Sequence, residues 1–328
     1  MRPQVFVTRR IPQPGMDIIE KECEVDVNPH DRPLTEGEVV EGVRGRNGLL
    51  CLLTDAIGTT VMDASPALKV ISNYAVGFNN IDVGEATRRG IMVTNTPGVL
   101  TDTTADLTFG LLIAIARRLA ESDRFTREGK FNGWGPMLLL GQDVHHATLG
   151  IVGLGRIGQA VAERASGFKM RVLYTDVKRA PQQLEEKLGV TFVSLDELLE
   201  QSDFVTLHVP LLDETRHMID EAQLKKMKPG ACLINAARGP LVNEQVLVRA
   251  LREGWIRGAA LDVYENEPNL TPGLADLDNA VLVPHIGSAS TATREKMATM
   301  AADNLVTGLR GDRPPHLVNP EVLGNRQG

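Results

Sequence analysis

The chain has 328 residues, 42% of them hydrophobic, 23% charged and only 4% aromatic, so aliphatic residues and alanine must form most of the core. This length suits two domains, and the composition suits an α/β protein with parallel sheets. A net charge of −7 without any basic cluster argues against nucleic acid as a partner. No apolar run approaches the roughly 18 residues of a membrane span. The widely spaced Cys23, Cys51 and Cys232, with no signal peptide before them, argue against a disulfide framework or zinc site and predict a cytoplasmic protein.

In the first part of the chain, short apolar runs alternate with helical patterns, which predicts a parallel sheet with helices on both faces. The predicted strands are Val5–Thr8, Gly48–Thr54, Lys69–Asn73 and Ile91–Asn95. The predicted helices between them are Glu36–Val43, Thr60–Ala64 and Val83–Arg89. A strongly apolar helix over Thr101–Leu119 follows, and the glycine-rich stretch Gly129–Gln142 is predicted to be an irregular linker.

A second alternation of strands and helices begins at Thr148 and predicts a doubly wound sheet of its own. Its six predicted strands are Thr148–Gly153, Arg171–Thr175, Phe204–Leu207, Cys232–Asn235, Gly258–Leu261 and Val281–Val283. A last helix over Ala289–Leu309 is predicted to return to the first domain, whose sheet otherwise has no C-terminal closure. We therefore expect one domain inserted into the other, with the ligand in the cleft between them.

The run Gly153-Leu-Gly155-Arg-Ile-Gly158 lies between a predicted strand and a helix, which is the setting of a dinucleotide site. Gly153 permits the tight turn, Gly155 lets the backbone approach a pyrophosphate, and Gly158 lets helix and strand pack closely. Asp176 ends the next strand, where a carboxylate accepts hydrogen bonds from ribose hydroxyls and repels a 2′-phosphate. This favours NAD, although the adjacent Lys178 and Arg179 leave NADP open.

Arg238, Glu267 and His285 each follow one of the last three predicted strands, so topology places them at the same edge of the sheet. Reduction of a 2-oxo acid requires a cation for the carboxylate and a proton donor for the carbonyl oxygen. Arginine and histidine suit those tasks, and a glutamate can orient the imidazole and stabilise its charged form. Spacing alone leaves surface or core roles open for all three residues.

Several motifs together resemble the D-isomer-specific 2-hydroxyacid dehydrogenase family, in particular its glyoxylate/hydroxypyruvate reductases. The matching stretches are Asn73–Asp82, Thr94–Pro97, Leu149–Gly158, Asn235–Gly239, Ala260–Val263, Glu267–Pro268 and Pro284–Ser288. The resemblance covers nearly the whole chain and implies a flavodoxin-like substrate domain over residues 1–99 and 289–328. It implies an NAD(P)-binding Rossmann domain over residues 100–288.

The resemblance also implies roles for individual residues. Arg238 binds the substrate carboxylate, His285 is the general acid in reduction, and Glu267 is its partner. The backbone amides of Val76 and Gly77 complete the carboxylate site. The residues implied to contact the cofactor are Thr104, Gly153, Gly155, Arg156, Ile157, Gly158, Asp176, Val209, Pro210, Ala236, Arg238, Asp262, His285 and Ser288.

Two further residues bear on substrate and assembly. In the family, the position of Leu53 lies over the substrate side chain, and a leucine leaves room for hydrogen or hydroxymethyl. Trp134 matches a tryptophan that reaches a neighbouring subunit's active site in the glyoxylate/hydroxypyruvate reductases, and this implies a homodimer. The resemblance thus predicts reduction of glyoxylate or hydroxypyruvate. A phosphoglycerate, lactate or phosphite dehydrogenase, or an NAD-sensing corepressor without catalysis, remains an alternative. His145 and His146 lack further ligands nearby, so no metal is expected.

Overall fold

The computed structural model describes residues 2–326 and forms two compact units. Unit 1 comprises Met1–Leu100 and Ala289–Gly328, and unit 2 comprises Thr101–Ser288. The predicted domain over residues 1–99 and 289–328 includes Met1, Gln327 and Gly328, which lie outside the described part of the chain. Each unit is built on a parallel sheet with helices on both faces, and the predicted α/β fold class is confirmed.

Unit 1 has a five-stranded sheet in the order β2-β1-β3-β4-β5, which is the flavodoxin-like order. Its strands are β1 Gln4–Val7, β2 Glu24–Val27, β3 Gly48–Cys51, β4 Val70–Asn73 and β5 Met92–Thr94. Its first four helices are α1 Gln13–Glu22, α2 Glu36–Val43, α3 Thr59–Asp63 and α4 Val83–Arg88. The strands β3, β4 and β5 are buried along their whole length, which is why their apolar runs predicted them well.

The strand β2 and the helix α1 were not predicted, and both have weak local signals. The sequence of β2, Glu-Val-Asp-Val, lies at the edge of the sheet, where its charged side chains are exposed and its valines half-buried. The helix α1 begins in a segment with two prolines, Pro12 and Pro14, which resembles a loop until the first turn is formed.

The last long helix of the chain, α12 (Thr291–Leu309), packs on the sheet of unit 1, as the sequence predicted. The Ser72 hydroxyl donates to the Ala301 carbonyl at 2.8 Å, and the Tyr74 hydroxyl donates to the Arg294 carbonyl at 2.7 Å. A Cβ on Gly15 of α1 would lie 2.6 Å from the Ala298 carbonyl oxygen, so the two helices are in close contact. Unit 1 therefore depends on residues from both ends of the chain.

Unit 2 has a seven-stranded sheet in the order β12-β11-β10-β9-β6-β7-β8, which extends the doubly wound Rossmann order by one strand. Its strands are β6 Thr148–Val152, β7 Arg171–Thr175, β8 Val190–Phe192, β9 Phe204–Leu207, β10 Cys232–Asn235, β11 Gly258–Leu261 and β12 Ala280–Leu282. Its helices are α5 Thr101–Ala116, α6 Leu119–Arg127, α7 Arg156–Gly167, α8 Gln182–Leu188, α9 Leu195–Gln201, α10 Glu221–Lys226 and α11 Glu244–Glu253.

Two predictions for unit 2 need correction. The sheet has seven strands rather than six, because the three-residue edge strand β8 is too short to give a periodic signal. The apolar helix predicted over Thr101–Leu119 ends at Ala116. Arg118 has a φ of +54°, which breaks the helix before α6 begins. The linker Gly129–Gln142 contains no helix or strand, as predicted.

Candidate active site

The glycine turn lies between β6 and α7, at the carboxyl end of β6, which is an interior strand of the unit 2 sheet. Gly153 has a φ of +95°, a conformation that favours glycine. A Cβ on Gly158 would lie 2.1 Å from the Gly153 carbonyl oxygen, so only glycine allows the helix to pack this close to the strand. At Gly155, by contrast, no heavy atom of residues 2–326 beyond its chain neighbours and its own helix backbone lies within 4 Å of a Cβ position, so the space there is open.

Asp176 follows β7 and supports this turn directly. Its Oδ2 accepts a hydrogen bond from the Leu154 amide at 2.8 Å, and its Oδ1 accepts one from the Val177 amide at 2.7 Å. The neighbouring Arg179 points its guanidinium at Glu185, with Nε–Oε1 and Nη2–Oε2 distances of 3.0 and 2.8 Å. Hydrogen bonds from Arg179 and Tyr174 hold the pKa of Glu185 below its usual range.

This arrangement fits a dinucleotide. The N-terminal turn of α7 has backbone amides directed toward open space, and Gly155 at its N-cap has no side chain to cover them. Arg156 and Ile157, which were predicted to contact the cofactor, are the first two residues of this helix. Val209 and Pro210 follow β9, and the Val209 Cγ1 packs beside Gly153. These residues, which were predicted to contact the cofactor, therefore lie around one turn.

His285 and Glu267 meet in the loops after β12 and β11. The His285 Nδ1 lies 2.9 Å from the Glu267 Oε2, and the other carboxylate oxygen accepts a hydrogen bond from the Tyr264 amide at 2.9 Å. Burial opposes ionisation of Glu267, yet the hydrogen bond and charge of His285 outweigh it and lower the pKa of Glu267. The imidazole is thus held through Nδ1, and Nε2 is the ring nitrogen left to face a ligand.

Asp262, at the end of β11, fixes the loop that carries His285. Its carbonyl accepts the His285 amide at 2.9 Å, while its carboxylate accepts the amides of Ile286 and Gly287 at 2.6 and 2.8 Å. Burial raises the pKa of Asp262, and the hydrogen bond from Ile286 opposes that shift. Thr104 of α5 approaches the same loop, since a Cβ on Gly287 would lie 3.6 Å from its Oγ1.

Arg238 lies after β10 in the same unit. Its Nη1 donates to the Ala237 carbonyl at 2.7 Å, and the Asn235 side chain donates to the Arg238 carbonyl at 2.9 Å. Burial lowers the pKa of Arg238, and the charge of Glu267 opposes that change. Ala236 and Ser288, two further predicted cofactor contacts, are half-buried in the loops after β10 and β12. The structure thus gathers Arg238, Glu267 and His285 at the carboxyl ends of three adjacent strands.

Unit 1 carries the remaining predicted substrate residues at the carboxyl ends of β3 and β4. Leu53 follows β3 with 36% of its surface exposed. The Val76 carbonyl accepts the Asn95 side chain at 2.7 Å, and the Gly77 carbonyl accepts the Asn73 side chain at 2.7 Å. Asn95 therefore fixes the peptide plane that carries the Gly77 amide, one of the two amides predicted to bind a carboxylate, and Asn73 fixes the next peptide plane.

Several supporting residues were not predicted from the sequence. A Cβ on Gly239 would lie 1.9 Å from the Tyr264 carbonyl carbon, so the Arg238 loop and the Glu267 loop are in direct backbone contact. Glu244, in the first turn of α11, is 1% exposed and contacts the same loop. Neither contact has a signal in a single sequence, since a glycine after an arginine does not show which peptide it will touch and an acid in a helix's first turn is too common to mark a contact.

The described residues 2–326 contain neither a metal-binding group of side chains nor a membrane-spanning helix. Within them, no group of three or more His, Cys, Asp or Glu side chains is arranged to hold a metal ion. No helix in the same range has both the length and the apolar character needed to cross a membrane. Trp134 lies in the linker before β6 with 85% of its surface exposed.

Comparison with known proteins identifies the family. Residues 109–287 match the model of the D-isomer specific 2-hydroxyacid dehydrogenase NAD binding domain. The chain is 54% identical over 326 residues to a glyoxylate reductase of Korarchaeum cryptofilum, covering 98% of both proteins. It is 50% identical over 327 residues to a glyoxylate reductase of Thermococcus litoralis, again covering 98% of both.

A solved structure with the same architecture adds to this result. It is an NADPH-dependent glyoxylate/hydroxypyruvate reductase from Sinorhizobium meliloti in complex with NADP and malonate. The TM-score is 0.85 at 33% identity, and the match covers 98% of each chain. The chain therefore belongs to the D-isomer-specific 2-hydroxyacid dehydrogenase family and is an NAD(P)-dependent dehydrogenase.

Proposed function

We propose that this protein reduces glyoxylate, hydroxypyruvate or both to the corresponding 2-hydroxy acid, with the D configuration where the product is chiral. The single observation that carries the proposal is the His285–Glu267 contact of 2.9 Å in the unit that also holds Arg238 and the glycine turn. The names of the relatives with about half of their residues identical support glyoxylate as a substrate.

The bound NAD(P)H supplies the hydride. Arg238 binds the substrate carboxylate through its planar fork, which matches two carboxylate oxygens. His285 donates the Nε2 proton to the carbonyl oxygen as negative charge develops there. Glu267 holds the Nδ1 proton and stabilises the imidazolium before transfer, and in the oxidative direction the same imidazole accepts a proton. Asp262 fixes the loop that presents His285 and is also proposed to bind the nicotinamide carboxamide. The proposed substrate contacts of Leu53, Val76 and Gly77 rest on the family resemblance.

The proposed cofactor preference is NAD over NADP. Asp176 places a carboxylate beside the glycine turn, where it would repel a 2′-phosphate. Arg179, three residues after Asp176, makes a bidentate contact with Glu185. This contact competes with any contact between Arg179 and a phosphate. Lys178 is exposed beside them. A phosphate contact from Lys178 would favour NADP, and this keeps NADP as the second candidate.

We further propose a homodimer. The segment that begins at α6 exposes several large apolar side chains, which an isolated soluble domain rarely does over one continuous stretch. The exposed residues are Leu119, Phe131, Trp134, Met137, Leu138 and Leu140. A second copy of the chain is the proposed partner, and the resemblance implied the same for Trp134.

The test is a parallel assay of glyoxylate, hydroxypyruvate and pyruvate with NADH and with NADPH. We expect the highest kcat/KM with glyoxylate or hydroxypyruvate and NADH. Preference for pyruvate or for a larger or phosphorylated 2-oxo acid would indicate another branch of the family. No turnover with any 2-oxo acid, combined with assembly that depends on NADH, would indicate an NAD-sensing binding protein instead.

A further inference from the structure

We propose that Glu244 is a positioning residue for the reduction, because it holds the backbone at Glu265 and so places Glu267 beside His285. The inference rests on the role proposed above for Glu267. The hydrogen bonds of the Glu244 carboxylate go to the loop between β11 and β12. Glu244 therefore acts on His285 through this loop.

The first argument is the pair of hydrogen bonds that the Glu244 carboxylate accepts. Its Oε1 accepts the Glu265 amide at 2.6 Å, and its Oε2 accepts the Thr271 hydroxyl at 2.7 Å. These two donors lie on either side of Glu267 in the chain. One buried carboxylate therefore closes the base of the loop that carries Glu267.

The second argument is that Glu265 returns the contact. Its Oε2 accepts the Glu244 amide at 3.3 Å, so each glutamate binds the other's backbone. Its Oε1 lies 2.6 Å from the His217 Nε2, and the His217 amide donates to the Pro240 carbonyl at 2.8 Å. The loop is thus tied to the start of α11 and to the segment before α10.

The third argument is the lack of space around the Tyr264–Glu265 peptide. A Cβ on Gly239 would lie 2.4 Å from the Glu265 nitrogen, so the Arg238 loop packs against one side of this peptide while Glu244 binds its amide. The amide of Tyr264 in turn donates to the Glu267 carboxylate at 2.9 Å. Tyr264 joins the two successive peptides, so a shift of the Tyr264–Glu265 peptide would move the Tyr264 amide and with it Glu267, and the neighbouring Arg238 loop would have to adjust.

The charge of Glu244 and the length of its side chain can be tested separately. Burial raises the pKa of Glu244, the hydrogen bonds from Thr271 and Glu265 oppose the shift, and the charges of Glu265 and Glu267 add to it. A glutamine at this position keeps the reach, since its carbonyl can accept the Glu265 amide and its amide group can donate to the Thr271 hydroxyl. An aspartate keeps the charge but is one methylene shorter, so it cannot keep both contacts without moving the loop.

The experiment compares Glu244→Gln with Glu244→Asp in the full-length protein. We expect E244D to lower kcat about 10- to 100-fold, the loss typical of a small displacement of a catalytic group. E244Q should stay within about threefold of the wild type, a loss that corresponds to at most about 0.7 kcal/mol. NADH affinity should be unchanged in both. Glu253→Asp, at the exposed end of the same helix, is the matched control and should leave kcat unchanged.

A double-mutant cycle with Glu267→Gln identifies the route of the effect. If Glu244 acts through Glu267, E244D should cost little further activity in the E267Q background. Losses that multiply, equal losses in E244Q and E244D, a greater loss in E244Q, or native kcat in E244D would each overturn the inference and leave the proposed function intact. Native turnover in E267Q would overturn the proposed function, and the inference with it.

Folding is monitored by the melting temperature of each variant. If E244D does not fold, Thr271→Val replaces it in the cycle, because this change removes one of the two donors to Glu244. We then expect a smaller loss of kcat that again disappears in the E267Q background. Native kcat in T271V, or a loss that persists in that background, would overturn the inference.

Discussion

At the scale of single residues, the contact between His285 and Glu267 fixes the position of the proposed general acid. The imidazole has one ring nitrogen committed to a carboxylate and sits in a loop fixed by three backbone amides bound to Asp262. Its position is therefore set by the protein before any ligand binds, and removal of the imidazole should affect proton transfer far more than folding.

We expect His285→Ala to lower kcat for the reduction by about 100- to 10,000-fold, the range typical of a lost general acid. NADH affinity, measured by fluorescence titration, should stay close to that of the wild type. The control is His145→Ala, because His145 is an exposed histidine that also lies near a carboxylate, 3.8 Å from Asp143. Turnover in H285A close to that of the control would contradict the role of His285.

Asp176 allows a second test, on cofactor choice. Asp176→Asn keeps an acceptor for a backbone amide but removes the charge that repels a 2′-phosphate. We expect the ratio of kcat/KM for NADPH to that for NADH to rise about tenfold, corresponding to roughly 1.4 kcal/mol of charge interaction. Asp203→Asn is the matched control, since Asp203 also accepts a backbone amide, that of Thr148, at the opposite end of β6. An unchanged ratio in D176N would argue against the proposed preference.

The sequence was sufficient to predict residues whose side chains have the chemistry that the reaction needs. It was not sufficient to predict residues that act by contacting the backbone. Arg238, Glu267 and His285 could be nominated because topology places strand ends together and because the chemistry needs those side chains. Gly239 and Glu244 could not, since their importance depends on which peptide each one touches across the fold. Contacts of that kind have no pattern in a single sequence.

At the scale of elements, the β6–α7 turn links cofactor binding to helix packing. We expect Gly158→Ala to destabilise the protein by about 1–3 kcal/mol through overpacking, and to weaken NADH binding because α7 must move away from Gly153. Chemical denaturation and NADH titration measure the two effects. Gly167→Ala in the same helix is the control, because no described atom lies within 4 Å of its Cβ position. It should change stability by only about 0.5–1 kcal/mol, in the favourable direction. Native stability and NADH affinity in G158A would show that the helix can move without cost.

Strands and helices were predicted with different success, and the burial of each element accounts for most of the difference. Strands buried on both faces, such as β9 and β10, were placed to the residue because their side chains are continuously apolar. The edge strands β2 and β8 were missed, since half-exposed strands of three or four residues have little apolar periodicity. The break between α5 and α6 was missed because it depends on the backbone of Arg118, and arginine rarely marks a helix end.

At the scale of the whole molecule, the exposed apolar segment around Trp134 predicts the state of assembly. Sedimentation should give a particle of about 71 kDa, twice the 35.7 kDa of the chain. We expect the double variant Trp134→Ser, Met137→Ser to shift the equilibrium toward the monomer, because these side chains are 85% and 77% exposed in the single chain. Leu212→Ser, at a residue 54% exposed elsewhere, is the control. A wild-type monomer at micromolar concentration would contradict the proposal.

The return of α12 to unit 1 has a consequence for how the protein is made. Ribosomal synthesis delivers the first segment of unit 1 before unit 2, but the apolar face that Ala301, Ala302 and Leu305 provide for that segment is made only after unit 2. Unit 2 is continuous in the chain and is fully synthesised before Ala289 appears. Since domains generally fold as units during translation, the segment of unit 1 that precedes unit 2 stays incomplete, with its apolar sheet face uncovered, until α12 has been made.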